Sequence, residues 1–90
     1  MMEIYARVSG RVQMVMFRDF ARRKARALGL SGQVKNLPDG SVEVVAQGEK
    51  DTLLGFIESL RRGPMFSRVE GVEILWREPS RQFKEFSIIY

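Results

Sequence analysis

The hydrophobic spacing of this chain switches between two periods, and the order of the switches leaves few folds open. Ile4, Ala6 and Val8 alternate with Glu3, Tyr5, Arg7 and Ser9, the period of two that marks a half-buried strand. Gly10 to Met16 breaks that pattern and reads as a loop. From Phe17 the period changes, and Phe17, Phe20, Ala21, Ala25 and Leu28 share one helical face. Asp19 falls in the first turn, where its charge suits the helix dipole, and Gly29 stands at the stop. Gly32–Lys35 is a short strand, Asn36-Leu37-Pro38-Asp39-Gly40 a dense turn signal, and Ser41–Gln47 a strand with Val42, Val44 and Ala46 on one face. Together they read as a β-hairpin. Leu53, Phe56, Ile57 and Leu60 outline a second helix, with Asp51 or Thr52 near its cap and Gly63-Pro64 at its end. Val72, Ile74 and Trp76 alternate as a fourth strand. Glu78–Gln82 turns, and Phe83–Tyr90 is a final strand with Phe86, Ile88 and Tyr90 in step.

The order β-α-β-β-α-β predicts an α+β, ferredoxin-like sandwich: a four-stranded antiparallel sheet with two helices on one face. Strands one and three occupy the middle, and strand two lies at an edge beside strand three. That topology leaves open whether Asn36, at the end of strand two, meets the Gly10–Arg18 segment. Ninety residues fit one domain spanning 1–90.

Absent residue types exclude whole classes of chemistry. With no Cys there are no disulfides, thiolate metal sites or cysteine nucleophiles. With no His there is no Ser-His-Asp triad and no imidazole base. No apolar run approaches the ~20 residues that span a bilayer, and Met1-Met2-Glu3-Ile4-Tyr5 lacks the basic and apolar regions of a signal peptide. The expectation is a cytoplasmic monomer with no membrane association. The formal net charge of +4 favours anionic partners without naming one.

Chemistry must then come from Arg, Lys, Asn, carboxylates, hydroxyls or backbone amides, and one segment suits that. A strand ends near Gly10 and a helix begins near Phe17-Arg18. The first amides of a helix have no intrahelical partner and carry partial positive charge, so a loop entering the helix there can turn several N–H groups onto one anion. Arg18 adds a guanidinium fork suited to phosphate or carboxylate. From spacing alone, Arg18 reads more readily as a solvated arginine, although a cation at a helix N-terminus is disfavoured unless an anion offsets it. Asn36 can both accept from and donate to one water, but from spacing alone it reads more readily as the first residue of a turn. Trp76 reads as sheet packing, Asp39 as turn chemistry, and Arg61, Arg62 and Arg68 as solvated surface. Glu43, Glu70 and Glu73 form no spacing that suggests acid–base work.

Gly10-Arg11-Val12-Gln13-x-Val15-x-Phe17-Arg18 resembles the first signature of the acylphosphatase family. Gly32-x-Val34-Lys35-Asn36-Leu37-Pro38-Asp39-Gly40-Ser41-Val42-Glu43-Val44-Val45-Ala46-x-Gly48 resembles the second. Gly63-Pro64, Ser67-Arg68-Val69 and the closing Phe83-Lys84-Glu85-Phe86-x-Ile88-x-Tyr90 are also similar to it. The resemblance covers essentially the whole chain. It implies the same ferredoxin-like fold and hydrolysis of the carboxyl–phosphate bond of small acyl phosphates, giving a carboxylate and inorganic phosphate. It further implies that Arg18 binds the phosphoryl group with the loop amides of Gln13, Met14, Val15, Met16, Phe17 and Arg18, that Asn36 positions the attacking water, and that no metal or organic cofactor takes part. The residue set suits this chemistry, because a carboxylate leaves readily and phosphoryl transfer is then mostly positioning and charge stabilisation.

Met14 and Met16 stand where the family signature usually carries glycine, position 16 being the more tolerant. Met held at positive φ costs on the order of 1–3 kcal/mol, so the expectation is a lowered but measurable turnover, and an anion-binding domain without turnover is the alternative. RNA-recognition domains share the element order, but they stack bases on strand aromatics. Ser41–Gln47 carries none, and no nucleic-acid partner is expected.

Overall fold

Alternating and helical spacings build the elements where they are expected, with differences at their ends. The computed structural model describes residues 1–90. It comprises β1 (Met2–Arg11), α1 (Phe17–Ala27), β2 (Ser31–Asn36), β3 (Val42–Gly48), α2 (Lys50–Arg62), β4 (Arg68–Arg77) and β5 (Phe86–Ile89). Strand β1 runs on through Gly10 and Arg11, which the broken alternation assigned to a loop. The reason is a bulge: the β1–β4 register shifts between Ser9 and Gly10, which restores pairing after the apolar pattern has slipped by one residue. Gly10 adopts φ of 117°, and a Cβ there would stand 2.2 Å from the carbonyl oxygen of Arg68. Only glycine lets the two backbones approach so closely.

The sheet order is β4-β1-β3-β2-β5. It therefore has five strands rather than four, and it is mixed rather than wholly antiparallel. β5 pairs parallel to β2, from Gly32 opposite Phe86 to Lys35 opposite Ile89. β2 is consequently an interior strand, not an edge. The final strand is shorter than 83–90 because residues 78–85 are used in travel: β4 and β5 lie at opposite edges, and the connection crosses the sheet.

Ile4, Ala6 and Val8 of β1, Val34 of β2, and Val42, Val44 and Ala46 of β3 point to one face. There they join Phe17, Ala21 and Ala25 of α1 and Leu53, Phe56, Ile57 and Leu60 of α2 in one core cluster. Burying a phenylalanine of this kind contributes roughly 1.5–3 kcal/mol, and Phe17, Phe56 and Phe86 are all fully buried. Leu28, expected on the α1 stripe, caps the helix instead and is exposed. Neither Asp51 nor Thr52 caps α2; Glu49 holds the cap position and makes no side-chain cap bond. No helix is long and apolar enough to cross a membrane.

The opposite face carries a buried polar cluster that spacing did not signal. Glu3 is 1% exposed. Its carboxylate accepts from Gln47 Nε2 at 2.8 Å and from Arg77 Nε. Gln47 also donates to the Arg81 carbonyl and accepts from the Phe83 amide at 3.2 Å. This side chain thus ties the crossing segment to the middle of the sheet.

Candidate active site

Position in the sheet decides what the first motif can meet. Asn36 pairs with Val42, and Val42 pairs with Val8, so Asn36 lies in the row where β1 approaches its end. Asn36 shares the helix-side face with Val34, which turns it toward the start of α1. The question left open by topology is thereby answered. Asn36 and the Gly10–Arg18 segment line one cavity of about 430 Å³, with Val12, Met14, Met16, Phe17, Arg18, Asp19, Ile88 and Tyr90.

Two buried side chains anchor the loop from below, Val12 and Phe17, each 1% exposed. Val15 packs partly against the same core. Gln13 anchors it from the side: its Nε2 donates to the carbonyls of Leu37 and Ser41, both at 2.8 Å. The side chain of the first motif is thus fastened to the turn of the second. That turn is itself braced. Asp39 accepts from the Ser41 amide at 2.9 Å and from the Ser41 hydroxyl, and its other oxygen pairs with Arg7. The Ser41 hydrogen bonds, with Arg7 adding its charge, hold the Asp39 carboxyl below its ordinary value.

Met14 and Met16 have φ of 60° and 63°, the left-handed conformation expected for positions usually occupied by glycine. A loop that alternates left-handed and other residues turns successive amides to one side, which forms an anion nest. Met16 is also the residue before α1 and provides no side-chain cap. The amides of residues 13–19 donate to no backbone carbonyl, and the first bond of the helix is from Phe20 N to Met16 O at 3.0 Å. Strong donors left in this state at a helix start suit an anion.

Arg18 sits in that first turn, half-buried, and takes part in none of the ion pairs of the molecule. Asp19 next to it is engaged elsewhere, with Arg22 at 2.6 Å and Arg23 at 2.8 Å. The guanidinium of Arg18 lies instead 5.1 Å from the centre of the Tyr90 ring. Asn36 Oδ1 is buried and has no hydrogen-bond partner. An acceptor in that state is costly unless a donor reaches it.

Met14, Met16, Phe17, Arg18 and Asn36 therefore line one cavity, whereas Gln13 turns its side chain to the neighbouring turn and Val15 packs against the core. Asp19, Ile88 and Tyr90 were not expected there. Phe86, Ile88 and Tyr90 share a face of the last strand, which placed Tyr90 on the helix side. Only the β2–β5 pairing brings that face over Arg18.

The chain matches the acylphosphatase family model over residues 4–88. It is 54% identical to an acylphosphatase of Thermus thermophilus over 87% of this chain and 89% of that protein. It is 49% identical to one of Dehalococcoides mccartyi over 90% of each. The crystal structure of acylphosphatase from Bacillus subtilis superposes with a TM-score of 0.97 over 100% of both chains, at 37% identity. On the strength of its sequence, its fold and these likenesses, the chain belongs to the acylphosphatase family.

Proposed function

We propose that Arg18, the loop amides and Asn36 divide between them the acyl-phosphate hydrolysis that belongs to this family. The phosphoryl oxygens lie on the amides of Gln13 to Arg18 and on the Arg18 guanidinium, which matches a phosphate edge with two parallel N–H groups. Asn36 Oδ1 accepts a hydrogen bond from a water and aims its oxygen at phosphorus. The water oxygen bonds to phosphorus as the bond from phosphorus to the carboxyl oxygen breaks. The carboxylate leaves with the electron pair, and both hydrogens of the water finish on the phosphate product. A phosphate oxygen receives the transferred proton, so no imidazole or thiol is required. Charge on the equatorial oxygens is held by donors already in place, the arrangement that lowers such barriers most effectively.

One observation carries this assignment: a buried carboxamide oxygen without a partner shares a cavity with an arginine that has no carboxylate partner. The whole chain acts as one domain. We read it as a cytoplasmic monomer whose working groups, Arg18, Asn36 and the loop amides, lie on one domain. A nucleic-acid partner is disfavoured by β3, which offers no aromatic side chain for a base to stack on.

The test is hydrolysis of benzoyl phosphate by the purified chain and by Asn36→Ala. The variant should lose about 10²-fold in kcat, the scale of a mispositioned reactant, while inorganic phosphate still competes with substrate. Unchanged kcat in that variant overturns the role of Asn36.

A further inference from the structure

Three of the largest exposed apolar side chains of the molecule stand around the Arg18–Asn36 cavity. Met14 is 100% exposed, Met16 70% and Tyr90 95%, and Ile88 lies half-buried beneath them. Met14 and Met16 hold backbone conformations, φ of 60° and 63°, that favour glycine over every other residue. Packing within the folded chain does not offset that strain, since both side chains reach into solvent. Strain retained at a site, and apolar surface gathered at the mouth of a concave one, both point to contact with a ligand.

The charges around the cavity sharpen the point. Only Arg18 and Asp19 among its lining residues carry charged side chains. Hydrogen bonding from Arg22, with Arg23 adding to it, holds the Asp19 carboxyl below its ordinary value, so it stays an anion. With the phosphoryl group on Arg18, the lining has no second cation to offer. The acyl group projects outward from phosphorus, across Met14, Met16 and Tyr90. A second anionic group on the substrate would meet thioethers, a phenol ring and a carboxylate.

We infer that Met14 and Met16, with Tyr90, form a specificity rim that favours acyl phosphates whose acyl group is uncharged and apolar, aromatic above all, and disfavours those carrying a second anionic group. This rests on the placement of the phosphoryl group at Arg18 and the loop amides. Methionine suits the task, because its flexible thioether adapts to irregular apolar shapes and makes favourable contacts with aromatic rings.

The test compares kcat/KM for benzoyl, acetyl and succinyl phosphate in the unaltered chain, in Met14→Ala/Met16→Ala and in Met14→Gly/Met16→Gly, with inorganic phosphate as inhibitor throughout. The unaltered chain should prefer benzoyl to acetyl and acetyl to succinyl phosphate. The benzoyl-to-acetyl ratio should fall about tenfold in both double variants, the discrimination expected from small apolar contacts. Alanine keeps the strained backbone and glycine relieves it, so a loss common to both belongs to the missing side chains. A ratio unchanged to within about twofold, or a preference for succinyl phosphate, overturns the inference. If phosphate still competes in that case, the placement at Arg18 stands. Hydrolysis of all three substrates that phosphate fails to inhibit overturns the placement and the rim together.

Discussion

Replacing Arg18 with alanine should separate activity from stability, because the residue is poorly placed for folding and well placed for an anion. Its cation sits in the first turn of α1, where the helix dipole disfavours it by about 0.3–1 kcal/mol. No carboxylate pairs with it, and its guanidinium lies 5.1 Å from the centre of the Tyr90 ring, a contact worth about 0.5–1 kcal/mol at an exposed site. These effects oppose each other and leave a net change below about 1 kcal/mol. For a chain of this size, 1 kcal/mol moves Tm by about 4–8 °C, so Arg18→Ala should melt within about 5 °C of the unaltered chain. Activity should behave differently. Removing one preorganised donor to a developing anion typically costs about 10²–10³ in kcat. Initial rates on benzoyl phosphate and a thermal melt on the same preparation read both quantities. A Tm lowered by about 10 °C or more would show that Arg18 holds the fold. Retained turnover would show that the phosphoryl group lies elsewhere.

Three other perturbations probe the surroundings of the site. Gln13→Ala unties the loop from the Leu37 and Ser41 carbonyls and should cost about 1–3 kcal/mol, read by denaturant melts, with weaker inhibition by inorganic phosphate. Gln47→Leu leaves Glu3 Oε1 and the Phe83 amide without this partner and should cost about 2–4 kcal/mol, while kcat of the folded protein is unchanged because the cluster lies on the other face of the sheet. Asp39, lowered chiefly by the Ser41 hydroxyl, binds its proton less readily folded than unfolded. Its contribution is therefore present above the ordinary value of 3.8 and lost as pH falls through the lower folded value. Ser41→Ala should flatten the acid limb of a urea-midpoint titration. At the other end, burial and the Glu43 hydrogen bond raise Tyr5 above 10.0, so its contribution is lost as pH rises past that value.

Period-two and 3.6-residue spacing located every core element because burial acts on local pattern. Ile4, Ala6 and Val8 face inward for the same reason that their neighbours do not. Element ends were less legible, since they depend on partners distant in the chain. Gly10 continues β1 only because Arg68 and Val69 lie opposite it. Leu28 leaves the helical stripe because α1 stops one residue earlier. The fifth strand was counted along the chain but not placed in the sheet. No periodicity reports that residues 78–85 cross from one edge to the other, and the signal that they do is one side chain, Gln47, sitting where an apolar or exposed residue would be the default.

The site divides along the same line. Arg18 and Asn36 were legible as types of group, since a guanidinium at a helix start and a carboxamide before a turn each have a limited set of uses. What brings them together is two strand pairings and one glutamine, none of which a local pattern contains. The left-handed backbone at Met14 and Met16 was foreseeable from the glycine usual at those positions, whereas their outward direction was not. Direction follows from Val15, whose half-buried side chain fixes which way its neighbours turn. Tyr90 is the furthest from any local signal. Its ring reaches Arg18 because β5 runs parallel to β2 and so delivers the last residue of the chain to the same end of the sheet as Asn36. The parallel pairing that the element order did not disclose is therefore what completes the wall of the cavity.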